Sequence, residues 1–210
     1  MKYQRKLGFA IIGCGLIGNK RAGTIPPGAL KFACDLDSAK ASALVAKHGG
    51  HATDQASAAV QHPEVDIVVV SAANASLAPL SRLALENGKH VLVEKPGALN
   101  SKQLSEIESA TAGSKALLRI GYNHRFHPAF RKAYELVREA DLGDLMFIRA
   151  RYGHGGRIGY DREWRADPVL SGGGELIDQG VHLIDLAASF MGEFTAIDGH
   201  AATYFWDMPV

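Results

Sequence analysis

Three stretches of this chain combine residue types and spacings that can do chemistry. Gly13-Cys14-Gly15-Leu16-Ile17-Gly18 is a G-x-G-x-x-G turn. In such a turn the first glycine permits a tight bend, the second lets a pyrophosphate approach the backbone, and the third lets the following helix pack closely on the preceding strand. Asp35 stands 17 residues beyond Gly18, at the expected end of a second strand, where a carboxylate accepts hydrogen bonds from an adenosine ribose. An acid in that position repels a 2′-phosphate, so NAD is the expected cofactor and NADP the less favoured one. Asp37 is the alternative acid, or simply the cap of the next helix. A glycine loop with only a packing role is the competing reading, and Cys14 is then a small side chain and no more.

The second stretch is Glu94-Lys95-Pro96, at the expected carboxyl end of a parallel strand, where open sheets bind their ligands. Pro96 fixes the backbone and is a candidate for a cis bond that turns Lys95 toward such a crevice. A salt-bridged surface turn explains the tripeptide equally well. The third is a polar stripe, Asp178, His182 and Asp185, at i, i+4 and i+7 of an otherwise apolar helix preceded by Gly172-Gly173-Gly174. It is either the wet face of that helix or the wall of a site, and the glycines favour the site because they let backbone approach a ligand. Asp178 can orient His182 and stabilise its charged form, which suits proton transfer. The two are also of metal-ligating type, but no third ligand stands at a fitting spacing, and no metal is expected. The alternative in another class is a metal-dependent hydrolase built on Asp178, His182 and either His154 or His200.

The elements that must position these groups follow from periodicity. Leu7 to Ile12, Leu30 to Asp35, Asp66 to Ala72, His90 to Glu94 and Ala116 to Gly121 are apolar runs bounded by turn signals, and read as buried strands. Ser38 to His48, Leu77 to Asn87 and Ser101 to Ala112 carry apolar residues at helical spacing. Asp37 or Ser38, Ser76, and Asn100 or Ser101 are candidate N-caps, with Gly49 and Gly88 as stops. Strands alternating with helices imply right-handed crossovers and a doubly wound parallel sheet, hence an α/β fold, over residues 1–122. Residues 123–210 have a different texture: a helix from Pro128 to Ala140, a strand from Leu145 to Tyr152, a glycine-rich loop, a helix from Glu175 to Met191 and a strand from Ala196 to Phe205. This predicts a partial, open-faced α+β domain, thin by itself because two strands with one apolar face are rarely stable alone.

Composition narrows the setting. The 210 residues are 47% hydrophobic and 21% charged, and 23 basic against 22 acidic residues leave a formal charge of +1. No summed field favours nucleic acid or an anionic membrane. The longest apolar run is too short and too glycine-rich to span a bilayer. Cys14 and Cys34, the two cysteines, build no disulfide framework, so a reducing cytoplasm is expected. Lys2, Arg5 and Lys6 ahead of Leu7 to Ile17, with Ile11-Ile12-Gly13-Cys14, are a possible secretory leader. A strand and glycine turn account for the same residues and also for Gly15, Gly18, Lys20 and Arg21.

Taken together the motifs resemble the Gfo/Idh/MocA oxidoreductase family. The resemblance lies in Gly13 to Gly18, in Gly88-Lys89-His90-Val91 leading into Glu94-Lys95-Pro96, and in Gly121-Tyr122-Asn123-His124-Arg125-Phe126. Trp164-Arg165 and Gly172-Gly173-Gly174 with Asp178 and His182 extend it. It implies a Rossmann domain followed by an open-faced sheet domain, and an NAD(P)-dependent dehydrogenase acting on a sugar, cyclitol or nucleotide sugar. It further implies Lys95 and His182 beside the reacting carbon, with Asp178 orienting His182 or the substrate. Asn74, Glu94 and Arg165 would serve the nicotinamide half, together with Gly13, Gly15, Leu16, Ile17, Gly18 and Asp35 for the rest of the cofactor. Tyr122, Asn123 and Arg125 would edge the substrate cleft. The complete form is expected to be a homo-oligomer. Where the family often has Thr-Pro-Asn followed by His, this chain has Ala73-Asn74 and Leu77. The family also usually continues well beyond this length. A catalytically inactive dinucleotide-binding regulator is the second expectation.

Overall fold

The computed structural model describes residues 6–139, 143–153, 156–202, 205–206 and 208–209. These belong to two compact units, Met1–Gly121 and Tyr122–Val210. In the first, short runs of Val, Ile, Ala and Phe form β1 (Phe9–Ile12), β2 (Leu30–Cys34), β3 (His51–Thr53), β4 (Ile67–Val70), β5 (His90–Val93) and β6 (Leu118–Ile120). Every neighbouring pair is parallel, in the order β3-β2-β1-β4-β5-β6. Side chains alternate across a strand, and each strand therefore feeds two cores. Ala10, Ile12, Val68, Val70, Val91 and Val93 pack on one face against Leu77, Leu85 and Ile107. Ile11, Ala33 and Val69 pack on the other against Ala22, Ala41 and Leu44. The strand order turns back on itself between β1 and β4, which is where doubly wound sheets open a crevice at their carboxyl ends.

The connecting helices are α1 (Leu16–Ala22), α2 (Ser38–His48), α3 (Ala56–Gln61), α4 (Asn74–Glu86) and α5 (Ser101–Ala112). Asp37 caps α2 by accepting from the Ala39 N–H at 3.0 Å, and Asn100 caps α5 by accepting from the Gln103 N–H at 3.0 Å. The bond from Ala39 and the nearby Lys40 hold the Asp37 carboxyl below the ordinary range. The expected α/β architecture is present, with two corrections. Periodicity passed over β3 and α3, and α4 begins at Asn74 instead of after a Ser76 cap. The N-cap there is Ala73, which makes no side-chain bond, and Pro79 lies inside the helix.

The second unit contains α6 (Pro128–Arg138), the four-residue α7 (Pro168–Ser171) and α8 (Val181–Met191). A π-helical turn over Leu176–Gly180 leads into α8, and 3-10 turns cover Asn123–Phe126, Tyr160–Arg162 and Trp164–Ala166. Among its described residues there is no strand. The strands expected over 145–152 and 196–205 are corrected accordingly, residues 203 and 204 lying outside the described residues. A strand exists only when a neighbour completes its ladder, and no described residue offers one to these runs. Met146, Phe147, Ile148, Ile197 and Phe205 are left exposed. Ala140, the expected end of α6, is also outside the described residues. No described helix is long and apolar enough to cross a membrane.

Candidate active site

In the first unit the glycine turn joins β1 to α1. Gly13 has φ +94°, and a Cβ there would lie 2.5 Å from the Ser71 carbonyl oxygen; a Cβ on Gly18 would lie 2.0 Å from the Gly13 carbonyl oxygen. These two glycines are what lets strand and helix meet. Gly15 is different: nothing lies within 4 Å of where its Cβ would be. Gly15 is also the N-cap of α1 and has no side chain to satisfy the first-turn N–H groups, which leaves those donors for a ligand. The turn is held from below. Ser71 Oγ donates to Gly13 O at 2.7 Å, and Asn19 Nδ2 donates to Cys14 O and Gly15 O at 2.8 and 3.0 Å. Leu16 and Ile17 stand exposed beside it.

Asp35 follows β2 and is bonded into the same turn. Its Oδ2 accepts from the Cys14 N–H at 2.7 Å, and Oδ1 accepts from the Asp37 N–H at 2.9 Å. Of the two acids weighed from sequence, Asp35 touches the turn and Asp37 caps α2. Burial pushes the Cys14 thiol up to about 12 and the Cys34 thiol up to about 11, with the Asp35 charge adding to both shifts. Both stay protonated near neutrality, so Cys14 acts as a small buried side chain whose Sγ lies 3.5 Å from Cys34 O.

Glu94, Lys95 and Pro96 follow β5. The Lys95–Pro96 peptide is cis, and the Gly97 N–H closes the turn on Glu94 O at 3.0 Å. Glu94 and Lys95 are half-buried. Glu94 Oε1 accepts from both Nε and Nη2 of Arg21, the Nε bond measuring 2.7 Å. Asn74, the first residue of α4, is buried. Leu77, one turn further along α4, is buried in the apolar core.

The second unit assembles its own group around His182. Asp178 and His182 are each only 6% exposed, and the Asp185 side chain is 8% exposed. The polar stripe is therefore not a wet face. Asp178 lies within the π turn and His182 in the first turn of α8; the i→i+5 bonding widens the helix there, so the pair departs from ideal i, i+4 α-helical spacing. Asp178 Oδ2 accepts from Arg165 Nε at 2.9 Å. Arg165 also reaches Glu163 at 3.4 Å and stacks over Trp164 at 4.6 Å. Arg125 makes a two-bond fork to Asp185, at 2.7 and 2.6 Å, which raises its pKa further.

The imidazole of His182 lies 4.0 Å, centroid to centroid, from that of His124, and Tyr122 and Tyr152 each meet it edge-on at 6.3 Å. Burial pushes the Tyr122 phenol up; the Asp185 charge adds to this and Arg125 opposes it. Asn123 is exposed at the start of its 3-10 turn. The second unit thus places Tyr122, Arg125, Asp178 and His182 in polar and aromatic groupings, gives Asp185 of the polar stripe to Arg125, and adds His124 and Tyr152, to which the sequence reading assigned no role. The Gly121-to-Phe126 motif pointed to His124. Nothing local pointed to Tyr152.

Among the described residues no group of three His, Cys, Asp or Glu side chains is arranged to hold a metal ion. His200 is exposed, and His154 lies outside the described residues. The first unit does fit a dinucleotide: Gly15 opens on unfilled space, α1 lacks a side-chain cap, and a carboxylate is bonded to the same turn.

Residues 7–122 match a family model described as an oxidoreductase family with an NAD-binding Rossmann fold, and residues 130–210 match the GFO/IDH/MocA C-terminal domain. D-glucoside 3-dehydrogenase of Escherichia coli (strain K12) is 31% identical over 193 residues, covering 89% of this chain and 54% of the relative. scyllo-Inositol 2-dehydrogenase (NAD(+)) of Bacillus subtilis (strain 168) is 26% identical over 201 residues, covering 91% and 56%. Among solved structures, that of GenD2 from gentamicin A biosynthesis in complex with NAD superposes with a TM-score of 0.76 at 25% identity, covering 89% of this chain and 54% of that one. The chain thus spans about half the length of these proteins.

Proposed function

The chain belongs to the GFO/IDH/MocA oxidoreductase family, and from that premise we propose that it serves a dehydrogenase moving a hydride between NAD and a secondary alcohol of a sugar, cyclitol or nucleotide sugar. The observation that carries the cofactor half is the glycine turn, open above Gly15 and bonded to Asp35. Bound NAD supplies the hydride acceptor. Gly15 admits the pyrophosphate to the backbone, the first-turn N–H groups of α1 bind it, and Leu16 and Ile17 cover it. Asp35 uses its remaining lone pairs on the adenosine ribose, while Asn74 and Glu94 serve the nicotinamide half.

Losing hydride from a carbinol also requires losing the hydroxyl proton. His182 is the assigned base, and Lys95 is the assigned donor to the developing negative charge. Tyr122, Asn123 and Arg125 contact the substrate. Arg165, assigned to the nicotinamide half, is also bonded to Asp178 and Glu163 and so holds Asp178, the positioning residue of the π turn. The wider reading includes a cytoplasmic homo-oligomer in the complete form, in keeping with two separate thiols.

The test offers sugars, inositols and nucleotide sugars with NAD and, in parallel, NADP, and follows the absorbance of the reduced nicotinamide. Reduction of NAD by at least one neutral polyol, with NAD preferred over NADP, is the expected outcome. Preference for NADP would remove Asp35 from its role. NAD binding without turnover across the panel would favour the regulator, a reading that Leu77 in the apolar core supports.

A further inference from the structure

Arg21 lies in α1, just past the glycine turn, and its guanidinium reaches the carboxylate that follows β5. Both of its bonds end on Glu94 Oε1, which leaves Oε2 to accept from a ligand. The two side chains are 26% and 13% exposed, sheltered enough to hold one geometry yet open enough to be reached. Gly121, just beyond β6, walls the pair: a Cβ there would lie 3.2 Å from Arg21 Nη2 and 3.3 Å from each Glu94 carboxylate oxygen.

The sheet order gives this pair a direction. Asp35 stands beyond β2, on one side of β1, and Glu94 stands beyond β5, on the other. A dinucleotide lies across the carboxyl ends of such a sheet with its pyrophosphate at the turn after β1. With the adenosine ribose over β2, the second nucleoside lies over β4 and β5, at Glu94. We infer that Arg21 is a positioning residue for the nicotinamide half of the cofactor: its two-bond fork fixes the Glu94 carboxylate so that Oε2 accepts from a hydroxyl or amide N–H of that half. This rests on the dinucleotide reading above. It adds a role for a residue outside the glycine fingerprint.

Lysine at position 21 keeps the charge and loses the fork, which separates geometry from simple electrostatics. Calorimetric titration of the chain with NAD, NADH and ADP is the experiment, with a thermal melt as the folding control. Arg21→Lys is expected to weaken NAD and NADH about tenfold, as for loss of a charge-assisted contact, and to change ADP by less than twofold. ADP reports the half held by the glycine turn and Asp35. Gly121→Ala displaces the same pair by a few tenths of an ångström without altering charge, and should weaken NAD about threefold with ADP again unaffected. It keeps the test open if Arg21→Lys does not fold. Binding of NAD within twofold of the parent by both variants overturns the inference, as does equal loss of NAD and ADP. A parent protein that binds ADP and NAD equally poorly fails at the dinucleotide reading instead, before Arg21 is in question.

Discussion

Replacing His182 with Asn is expected to lower kcat for alcohol oxidation by about a hundredfold to ten-thousandfold, the range a positioned general base contributes, while NAD affinity stays within twofold. The group around His182 explains why the loss falls on the chemical step. The imidazole is buried, packed against the tilted His124 ring and met edge-on by Tyr122 and Tyr152, so solvent water is poorly placed to take the proton in its stead. Asn is smaller by two heavy atoms but retains a polar nitrogen, and a thermal melt checks the effect on packing. Lys95→Met should likewise lower kcat, because an alkoxide then develops without a cationic donor. Steady-state kinetics alongside calorimetric NAD binding separates these effects, and the residual rate of His182→Asn should rise with pH as hydroxide replaces the missing base. Undiminished turnover in both variants would remove the catalytic assignment.

The same one-carbon addition at two glycines is expected to give opposite failures. Gly18→Ala puts a methyl group 2.0 Å from the Gly13 carbonyl oxygen, a backbone atom that no side-chain rotation can move. The strand and α1 must separate, at about 3 kcal/mol or more, so the melting temperature should fall by many degrees or soluble protein should be lost. Gly15→Ala meets nothing within 4 Å and should melt within a few degrees of the parent. Its methyl group instead occupies the space assigned to the pyrophosphate, and NAD affinity should drop at least tenfold. A thermal melt and an NAD titration on both variants check this. A Gly15→Ala protein that binds NAD as tightly as the parent would remove the glycine turn from the cofactor site.

What could be foreseen without coordinates was whatever is encoded locally. Gly13, Gly15, Gly18 and Asp35 are related by short, fixed spacings, and β1, β2, β4, β5 and β6 announce themselves as apolar runs. β3 does not: His51, Ala52 and Thr53 are three residues on the edge of the sheet, mostly exposed, with no apolar periodicity to detect. The run from Leu145 to Tyr152 fails in the opposite sense. Its side chains favour strands, but pairing is a property of two segments. The ion pairs were out of reach for a third reason. Arg21 and Glu94 are 73 residues apart and Arg125 and Asp185 are 60 apart, and only the folded topology joins them. The π turn hid inside a pattern that fits an ordinary helix, because a widened turn leaves the composition unchanged.

The double duty of Asp35 bears on any attempt to redesign coenzyme choice. The carboxylate proposed to exclude a 2′-phosphate also accepts the Cys14 and Asp37 N–H groups, so truncating it to Ala would unfasten the loop it is meant to retune. Asn offers a carbonyl oxygen for one of those donors while discarding the negative charge. An engineered switch toward the phosphorylated coenzyme should therefore start from Asn, with a basic partner introduced nearby as a second change.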